Sequence, residues 1–531
     1  HSKKFEGQTD MVEPWYGTPF KVEKMTHSSI QGWVLSAPNE NLQLPVPNMF
    51  IPSNLSLKLP HEKGEAPVLL RSTSYASLWY KPDTSFELPK AYVKIDFSCP
   101  NARNSPETVV LTEIFSLLVM DYLNEYAYYA QVAGLSYSVN NSDRGFEVTV
   151  HGYDDKLRIL LEKVVDKIAQ FSVKQDRFSV IKEMAKKEYE NVRFQQPYQQ
   201  AMYYCSLILE DQLFHWKDEY EALCSLKAED LVKFIPFILS RMFLVCYVGG
   251  NIEPREAESM VECLENVLFK GQTPLCQALF PSQHHTSRIV KLDRGSHYFY
   301  QSEVLNPNDE NSALLHYIQI HQDDFLMNVK LQLFALIAKQ PAFHQLRSVE
   351  QLGYITVLMQ RNDFGIRGLQ VIIQSTVKGP ADLDVRVEEF LKNFETRLCA
   401  MTAADFKNNV DALIDMKLEK HKSLREESEF YWREVSNGTL KFDRREREVE
   451  ALRQLSQQEL IDFFCKYIKI GSPHKRKLSI RLYGNLHSHE FSSDRTKQQI
   501  PNSVEIKDMF SFRSSQPLYG SLMGSRGHVK L

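Results

Sequence analysis

Leu346-Arg347-Ser348-Val349-Glu350-Gln351-Leu352-Gly353-Tyr354 closes a helical pattern and opens an alternating one, and Ala133-Gly134-Leu135-Ser136-Tyr137 does the same earlier in the chain. Gly134 and Gly353 stand 219 residues apart. Upstream of each corner an alternating run, residues 91–98 or 313–320, reads as a strand. A helical pattern follows each run: Leu111, Phe115, Leu118 and Tyr122 share one face over 106–131, and Val329, Leu333 and Leu336 share one over 324–339. Downstream, the turns Asn141-Ser142-Asp143-Arg144-Gly145 and Arg361-Asn362-Asp363-Phe364-Gly365 place their last glycines 220 residues apart. Each hairpin then runs into a helix, over 155–171 and over 383–398. Each copy ends in a strand closed by Gly-Asn, at Gly250-Asn251 and Gly484-Asn485, where the offset has grown to 234. The second copy therefore carries an insertion in its later helical region.

This duplication predicts an α+β fold of two tandem homologous domains, each an antiparallel-rich sheet covered by helices. Their expected limits are 70–285 and 286–531. Residues 33–69 hold Pro38, Pro45, Pro47, Pro52, Pro60 and Pro67, a density that suits a semi-rigid connector. Residues 1–69 then read as the end of a preceding domain plus a linker, 272–288 as a second linker, and the tail after Gly484 as polar and irregular.

Hydrophobic residues make up 43% of the 531 and charged residues 24%, ordinary globular values that exclude disorder of the whole chain. A net charge of -4 gives no global electrostatic case for nucleic acid or an anionic membrane surface. No run approaches the ~20 apolar residues of a membrane span. The eight cysteines form no C-x-x-C pair and have mostly apolar neighbours, which favours buried free thiols in a reducing compartment. The chain begins at His1 without a signal-peptide core, and reads as a fragment or as one half of a larger protein.

No H-E-x-x-H, H-x-x-E-H, P-loop, G-x-S-x-G or G-x-G-x-x-G occurs. His316 and His321, five apart in one strand, are expected on opposite faces. His284-His285 lies in a linker, and His61-Glu62-Lys63-Gly64-Glu65 lacks a second His. None of these makes a metal centre. What remains is the second corner. A helix over 341–351 places Arg347 on its last turn, Gly353 acts as the C-terminal breaker, and Tyr354 opens the next strand. A fixed cation beside a phenolic donor suits a developing oxyanion. The alternative reading pairs Arg347 with Glu350 or another acid and packs Tyr354 on the sheet. In the first copy the corresponding region reads Tyr126-Ala127-Tyr128-Tyr129, so the fold itself does not require the pair. Lys417-Leu418-Glu419-Lys420-His421-Lys422 reads either as a polyanion patch or, with its interleaved glutamates, as a solvated helix face. Gln195-Gln196-Pro197-Tyr198 reads as a helix start leading into an aromatic stripe, and Phe430-Tyr431-Trp432 as packing between helices.

Over essentially its whole length the chain resembles the C-terminal half of the insulin-degrading enzymes of the insulinase/pitrilysin family, inverted zincin metallopeptidases. The resemblance rests on Phe5-Glu6-Gly7 with Trp15-Tyr16-Gly17-Thr18, Leu123-Asn124-Glu125-Tyr126-Ala127 running into Gly134, Gln196-Pro197 with Ala201-Met202-Tyr203-Tyr204, and Leu346-Arg347 with Glu350-Gln351-Leu352-Gly353-Tyr354-Ile355. It implies the third and fourth domains of a four-domain zinc metalloendopeptidase whose two halves enclose peptide substrates in a chamber. The zinc would be held by the N-terminal half, and no metal ligand by this one. By the same resemblance Arg347 and Tyr354 would be catalytic, orienting the substrate and stabilising the oxyanion. Phe343 would bind substrate, and Lys417, Lys420 and Lys422 would fall at a polyanion-binding patch.

Implied partners are peptides, the N-terminal half and a possible second copy, with neither nucleic acid nor membrane. The chain alone would be inactive. Two rivals stand beside this reading: a non-catalytic peptide-binding or scaffold protein, and the inactive subunit of a two-chain processing peptidase. The expected compartment is the cytosol, with Val529-Lys530-Leu531 as a weak peroxisomal address.

Overall fold

The computed structural model describes residues 3–42, 44, 46–58, 64–270, 274–284, 286–494 and 503–522. His61-Glu62-Lys63, His285 and Val529-Lys530-Leu531 lie outside the described residues. The chain divides into two units, His1–Met49 and Phe50–Leu531. In the first, Met11–Val12 pairs antiparallel with Pro19–Phe20, and a helix over His27–Val34 is capped by the Thr26 hydroxyl, which accepts from Ser29 N–H. None of that helix is buried.

The second unit contains both predicted repeats. In chain order its main strands are β1 (Val68–Ser72), β2 (Ala76–Pro82), β3 (Lys90–Ser98), β4 (Leu135–Ser142), β5 (Gly145–Tyr153), β6 (Arg241–Gly250), β7 (His297–Glu303), β8 (Ser312–Gln322), β9 (Ile355–Asp363), β10 (Ile366–Ser375), β11 (Lys477–Tyr483) and β12 (Ser503–Glu505). One sheet runs β4-β5-β3-β6-β2-β1 and the other β9-β10-β8-β11-β7-β12. The orders match over the first five strands. In both sheets the first four strands pair antiparallel and the fifth joins parallel. The correspondence ends at the sixth: β1 precedes β2 and lies antiparallel to it, whereas β12 comes from the C-terminal region and lies parallel to β7. The tail after Gly484 is therefore not wholly irregular. It supplies β12 and a helix over Met509–Ser515, and Ile506 and Met509 enter the core.

The helices that carry the argument are α1 (Pro106–Val132), α2 (Asp154–Ala169), α3 (Pro197–Leu209), α4 (Phe325–Ala342), α5 (Pro380–Cys399), α6 (Ala403–Leu418) and α7 (Leu424–Ser436). α1 starts at a capping box, with Ser105 and Thr108 bonding each other's backbone N–H. Its predicted face, Leu111, Phe115 and Leu118, is buried against one side of the first sheet together with α2. α4 and α5 do the same for the second sheet, with Val329, Leu333, Phe334, Leu383 and Phe390 in its core.

The other sides of the two sheets are covered by exchange. α3, which lies in the first copy, packs Ala201, Tyr204, Cys205 and Ile208 on Leu315, Tyr317, Leu478 and Ile480 of the second sheet. Its first turn is tied down there, because Tyr198 N–H donates to Gln374 Oε1 at 3.1 Å and Gln374 Nε2 donates to Gln196 Oε1 at 2.8 Å. α7, from the second copy, packs Tyr431, Trp432 and Val435 on Tyr92, Val245 and Tyr247 of the first sheet. The Phe430-Tyr431-Trp432 run thus meets a sheet rather than lying between helices.

Two further expectations are corrected. The eight cysteines are free, but Cys224 and Cys399 are exposed while Cys99, Cys205, Cys246 and Cys276 are buried. A register shift between Gln319 and His321 resets the alternation of β8. Both imidazoles consequently face helices, His316 Nδ1 lying 2.7 Å from Asp384 on α5 and His321 Nε2 lying 2.9 Å from Asn328 on α4.

Candidate functional site

α4 does not end where its periodic pattern does. Pro341 sits inside the helix and withholds one ladder donor, and the chain continues directly into a π-helical stretch, Phe343–Val349. Glu350 N–H donates to Gln345 O at 3.0 Å and Leu352 N–H to Leu346 O at 3.0 Å, closing the widened turn. Leu346 and Leu352 are fully buried and anchor it, while Arg347, next to Leu346, projects from the surface side. The left-handed residue that turns the chain is Gln351, at φ 51, not Gly353. Gly353 has a different task. A Cβ there would lie 1.8 Å from Gln374 O, so its bare backbone lets the corner cross over β10. The sister corner is simpler: α1 ends at Val132 and Gly134, at φ 82, makes the turn itself.

The widened turn stacks three side chains. The Arg347 guanidinium carbon lies 4.8 Å from the Phe343 ring centroid and 4.5 Å from the Tyr354 ring centroid. Tyr354 is 83% exposed and Phe343 39%, so both rings present a face or an edge to solvent. Glu350 does not hold Arg347. Its carboxylate accepts from Arg386 Nε of α5 at 2.7 Å and from Gln345 Nε2 at 2.9 Å, and the Arg386 bond keeps it below the ordinary carboxylate range. Among the described residues Arg347 has no carboxylate partner, which leaves its N–H groups for a ligand. Spacing brought Arg347 and Tyr354 into one corner and the family resemblance added Phe343, but both missed Arg386, whose role depends on a tertiary contact 36 residues from Glu350.

The three lysines are not brought together. Lys417, at the end of α6, turns inward and binds Glu448 at 2.5 Å. Lys422 pairs with Glu419 at 2.9 Å, and Lys420 is exposed.

A larger recess of ≈ 1310 Å³ opens between α5, β7, β11 and β12. Its floor is charged but internally matched. Asp384 binds Lys477 at 2.9 Å and Arg481 at 2.8 Å, and Glu388 binds Lys475 at 2.7 Å. His297 there is pulled down to about 3, first by burial and then by Lys477, so it stays neutral. Among the described residues no group of three or more His, Cys, Asp or Glu could hold a metal ion, and none of the helices is long and apolar enough to cross a membrane. The described residues do not offer a zinc site.

Residues 1–222 match the family model for the middle or third domain of peptidase M16, and residues 333–432 match the PQQ synthase PqqF-like C-terminal lobe domain 4. The whole chain is 63% identical over 531 residues to an insulin-degrading enzyme-like 1, peroxisomal, of Arabidopsis thaliana, covering 54% of that protein. The chain belongs to the insulinase/pitrilysin (M16) family. The insulin-degrading enzyme of Homo sapiens is 34% identical over 530 residues, which cover 98% of this chain and 51% of that one. The M16 chain thus spans about half the length of the curated relatives it matches. In structure it resembles pitrilysin, with a TM-score of 0.82 over 97% of this chain and 53% of that one at 21% identity. A peptidase M16 inactive domain from Pseudomonas fluorescens matches with a TM-score of 0.58 at 11% identity, covering 79% of this chain and 98% of that one. These two likenesses concern the fold.

Proposed function

We propose that this chain is the C-terminal half of a zinc metalloendopeptidase that hydrolyses peptides enclosed between two half-shells. In this reading residues 1–69 end a preceding domain and lead through a linker to a third domain, 70–285, and a fourth, 286–531. The observation that supports it best is the corner itself, with Arg347 stacked between Phe343 and the exposed Tyr354 while Glu350 is held away by Arg386.

Arg347 and Tyr354 donate to the oxygen of the scissile carbonyl as charge gathers on it, which suits their paired cationic and phenolic donors. Phe343 supplies an apolar wall for the substrate side chain. The metal ligands belong to residues beyond this chain, so the chain alone is inactive and its first partner is the N-terminal half, with a second copy as a further one. A polyanion role for the loop falls to Lys420 and Lys422 more than to Lys417, which is committed to Glu448. Cytosol and peroxisome are the proposed compartments, the latter supported by the peroxisomal designation of the Arabidopsis relative.

The test is to supply an N-terminal half bearing H-x-x-E-H and follow cleavage of a quenched fluorescent peptide. Hydrolysis that needs both halves, stops with chelator and falls in Arg347→Ala supports the reading. Absence of hydrolysis with both halves present overturns it in favour of a binding or scaffold role, and hydrolysis indifferent to Arg347 removes the catalytic role proposed for the corner.

A further inference from the structure

Every charge on the floor of the large recess has a partner, but the numbers are uneven: three cations, Lys475, Lys477 and Arg481, share two carboxylates, Asp384 and Glu388. Lys477 bridges both, lying 2.9 Å from each. Burial alone would raise Glu388, but the neighbouring cations, Lys477 above all, outweigh it and hold the carboxyl at about 2, and Asp384 is likewise held low, so both acids stay ionised. His297 beside them is neutral. The floor thus keeps one positive charge in excess, and a buried charge without a counter-ion is costly.

Arg481 marks where an anion would sit. It is 9% exposed, its Nη2 donates to Asp384 at 2.8 Å, and its Nε has no acceptor among the described residues. Its guanidinium carbon lies 4.7 Å from the centroid of Phe299, a ring in the wall of the recess. Away from the floor the lining turns apolar, with Val385, Ile470 and Val504 each close to half exposed. The fold does not require this surface. On the corresponding side of the first sheet, Leu244, Cys246 and Val248 of β6 pack in an apolar core with the helix over Pro254–Leu268, where β11 of the second sheet presents Lys477 and Arg481 to the recess.

We propose that the recess binds a small aromatic carboxylate, with its anionic end at Arg481 and its flat body against Phe299, Val385 and Val504. A few charged donors set among apolar walls is the ordinary make-up of a small-molecule site, and charge-assisted bonds fix the ligand's orientation. The inference is independent of the peptidase reading.

The test uses the 531-residue chain and 1-naphthoate, followed by isothermal titration calorimetry, with 1-naphthamide as a neutral body of the same shape. Naphthoate is expected to bind at a single site and the amide at least tenfold more weakly, a result on the unaltered chain that no variant's folding affects. Glu388→Gln adds a second surplus charge to the floor and should tighten naphthoate binding at least threefold, a gain that unfolding cannot produce. Arg481→Gln removes the surplus and should weaken it at least tenfold, while Arg347→Ala at the corner leaves it unchanged. Equal binding of acid and amide overturns the proposal, as does an affinity indifferent to both Glu388→Gln and Arg481→Gln. Loss of binding in Arg347→Ala would place the anion at the corner and overturn it too. Binding of N-acetyltryptophan in preference to naphthoate would assign the recess to the C-terminus of a peptide, against the free acid proposed.

Discussion

Arg386 Nε of α5 lies 2.7 Å from the carboxylate of Glu350, and this ion pair leaves Arg347, three residues before Glu350, stacked between aromatic rings. A lone Glu350 would sit at helical spacing from Arg347 and would compete for its guanidinium. On the proposed function, Arg386→Ala should therefore lower kcat/KM of the chain assembled with an N-terminal half by roughly tenfold, about 1.4 kcal/mol, although Arg386 is not one of the three stacked side chains. The double variant R386A/E350Q should recover most of the loss. Steady-state kinetics of the two proteins decide it.

Removing either donor at the corner should act on turnover and not on folding. Tyr354 is almost wholly exposed, so Tyr354→Phe costs little stability, while loss of one oxyanion donor typically costs about 3 kcal/mol of barrier. A hundredfold or greater fall in kcat with an unchanged melting temperature is the expected result for Tyr354→Phe. Arg347→Ala should show a fall of similar size.

Gly353→Ala should damage the fold. A Cβ there meets Gln374 O at 1.8 Å, backbone that cannot move without breaking the β9–β10 ladder. Overpacking of this kind costs about 3 kcal/mol, and chemical denaturation should show it as a lower midpoint.

The exchanged helices give a test of a different kind. Trp432→Ala, on α7, empties a buried site on the first sheet and should cost about 3–5 kcal/mol. Because α7 belongs by sequence to the second repeat, protection from hydrogen exchange should fall in β3 and β6, far along the chain from the substitution.

Stability should also depend on Glu219. Its carboxyl is pushed up to about 7, by burial above all, and lies 3.1 Å from the Tyr189 hydroxyl, which also contacts Glu113 at 3.1 Å. A carboxyl raised in the folded state stabilises it below the unfolded value near 4.5, and that contribution is lost as pH rises to about 7. Glu219→Gln does not ionise. Its melting temperature relative to the parent should be higher at pH 8 than at pH 5, as differential scanning fluorimetry would show.

Much of this was legible in the sequence because it was written as periodicity. The 219- and 220-residue offsets carried the duplication, and the sheets bear it out through five matching strands. Arg347 and Tyr354 were placed together because their spacing spans one helix-to-strand corner, and Phe343 came only with the family resemblance. What escaped depends on information that local pattern does not hold. An amphipathic stripe such as Tyr431-Trp432-Val435 says that a helix has a buried face, not which sheet will cover it. The bulge that turns His321 onto α4 is one residue in a run that otherwise alternates. Pro341 was visible, but the π-helical turn after it follows from how Leu346 and Leu352 anchor in the core. The Arg386 bond to Glu350 joins elements whose approach only the folded chain defines.

The crossing of α3 and α7 also bears on how this protein can be cut. A gene divided at the linker around residues 272–288 would release two products, each missing the lid of one sheet side and each carrying the other's lid as an orphan helix. Apolar surface including Tyr92, Val245 and Tyr247 on one product, and Leu315, Tyr317 and Ile480 on the other, would face water and invite aggregation. The two repeats are thus mutually dependent, and the smallest piece that keeps both sheets whole and covered extends from β1 past α7 and β12 to the helix over Met509–Ser515.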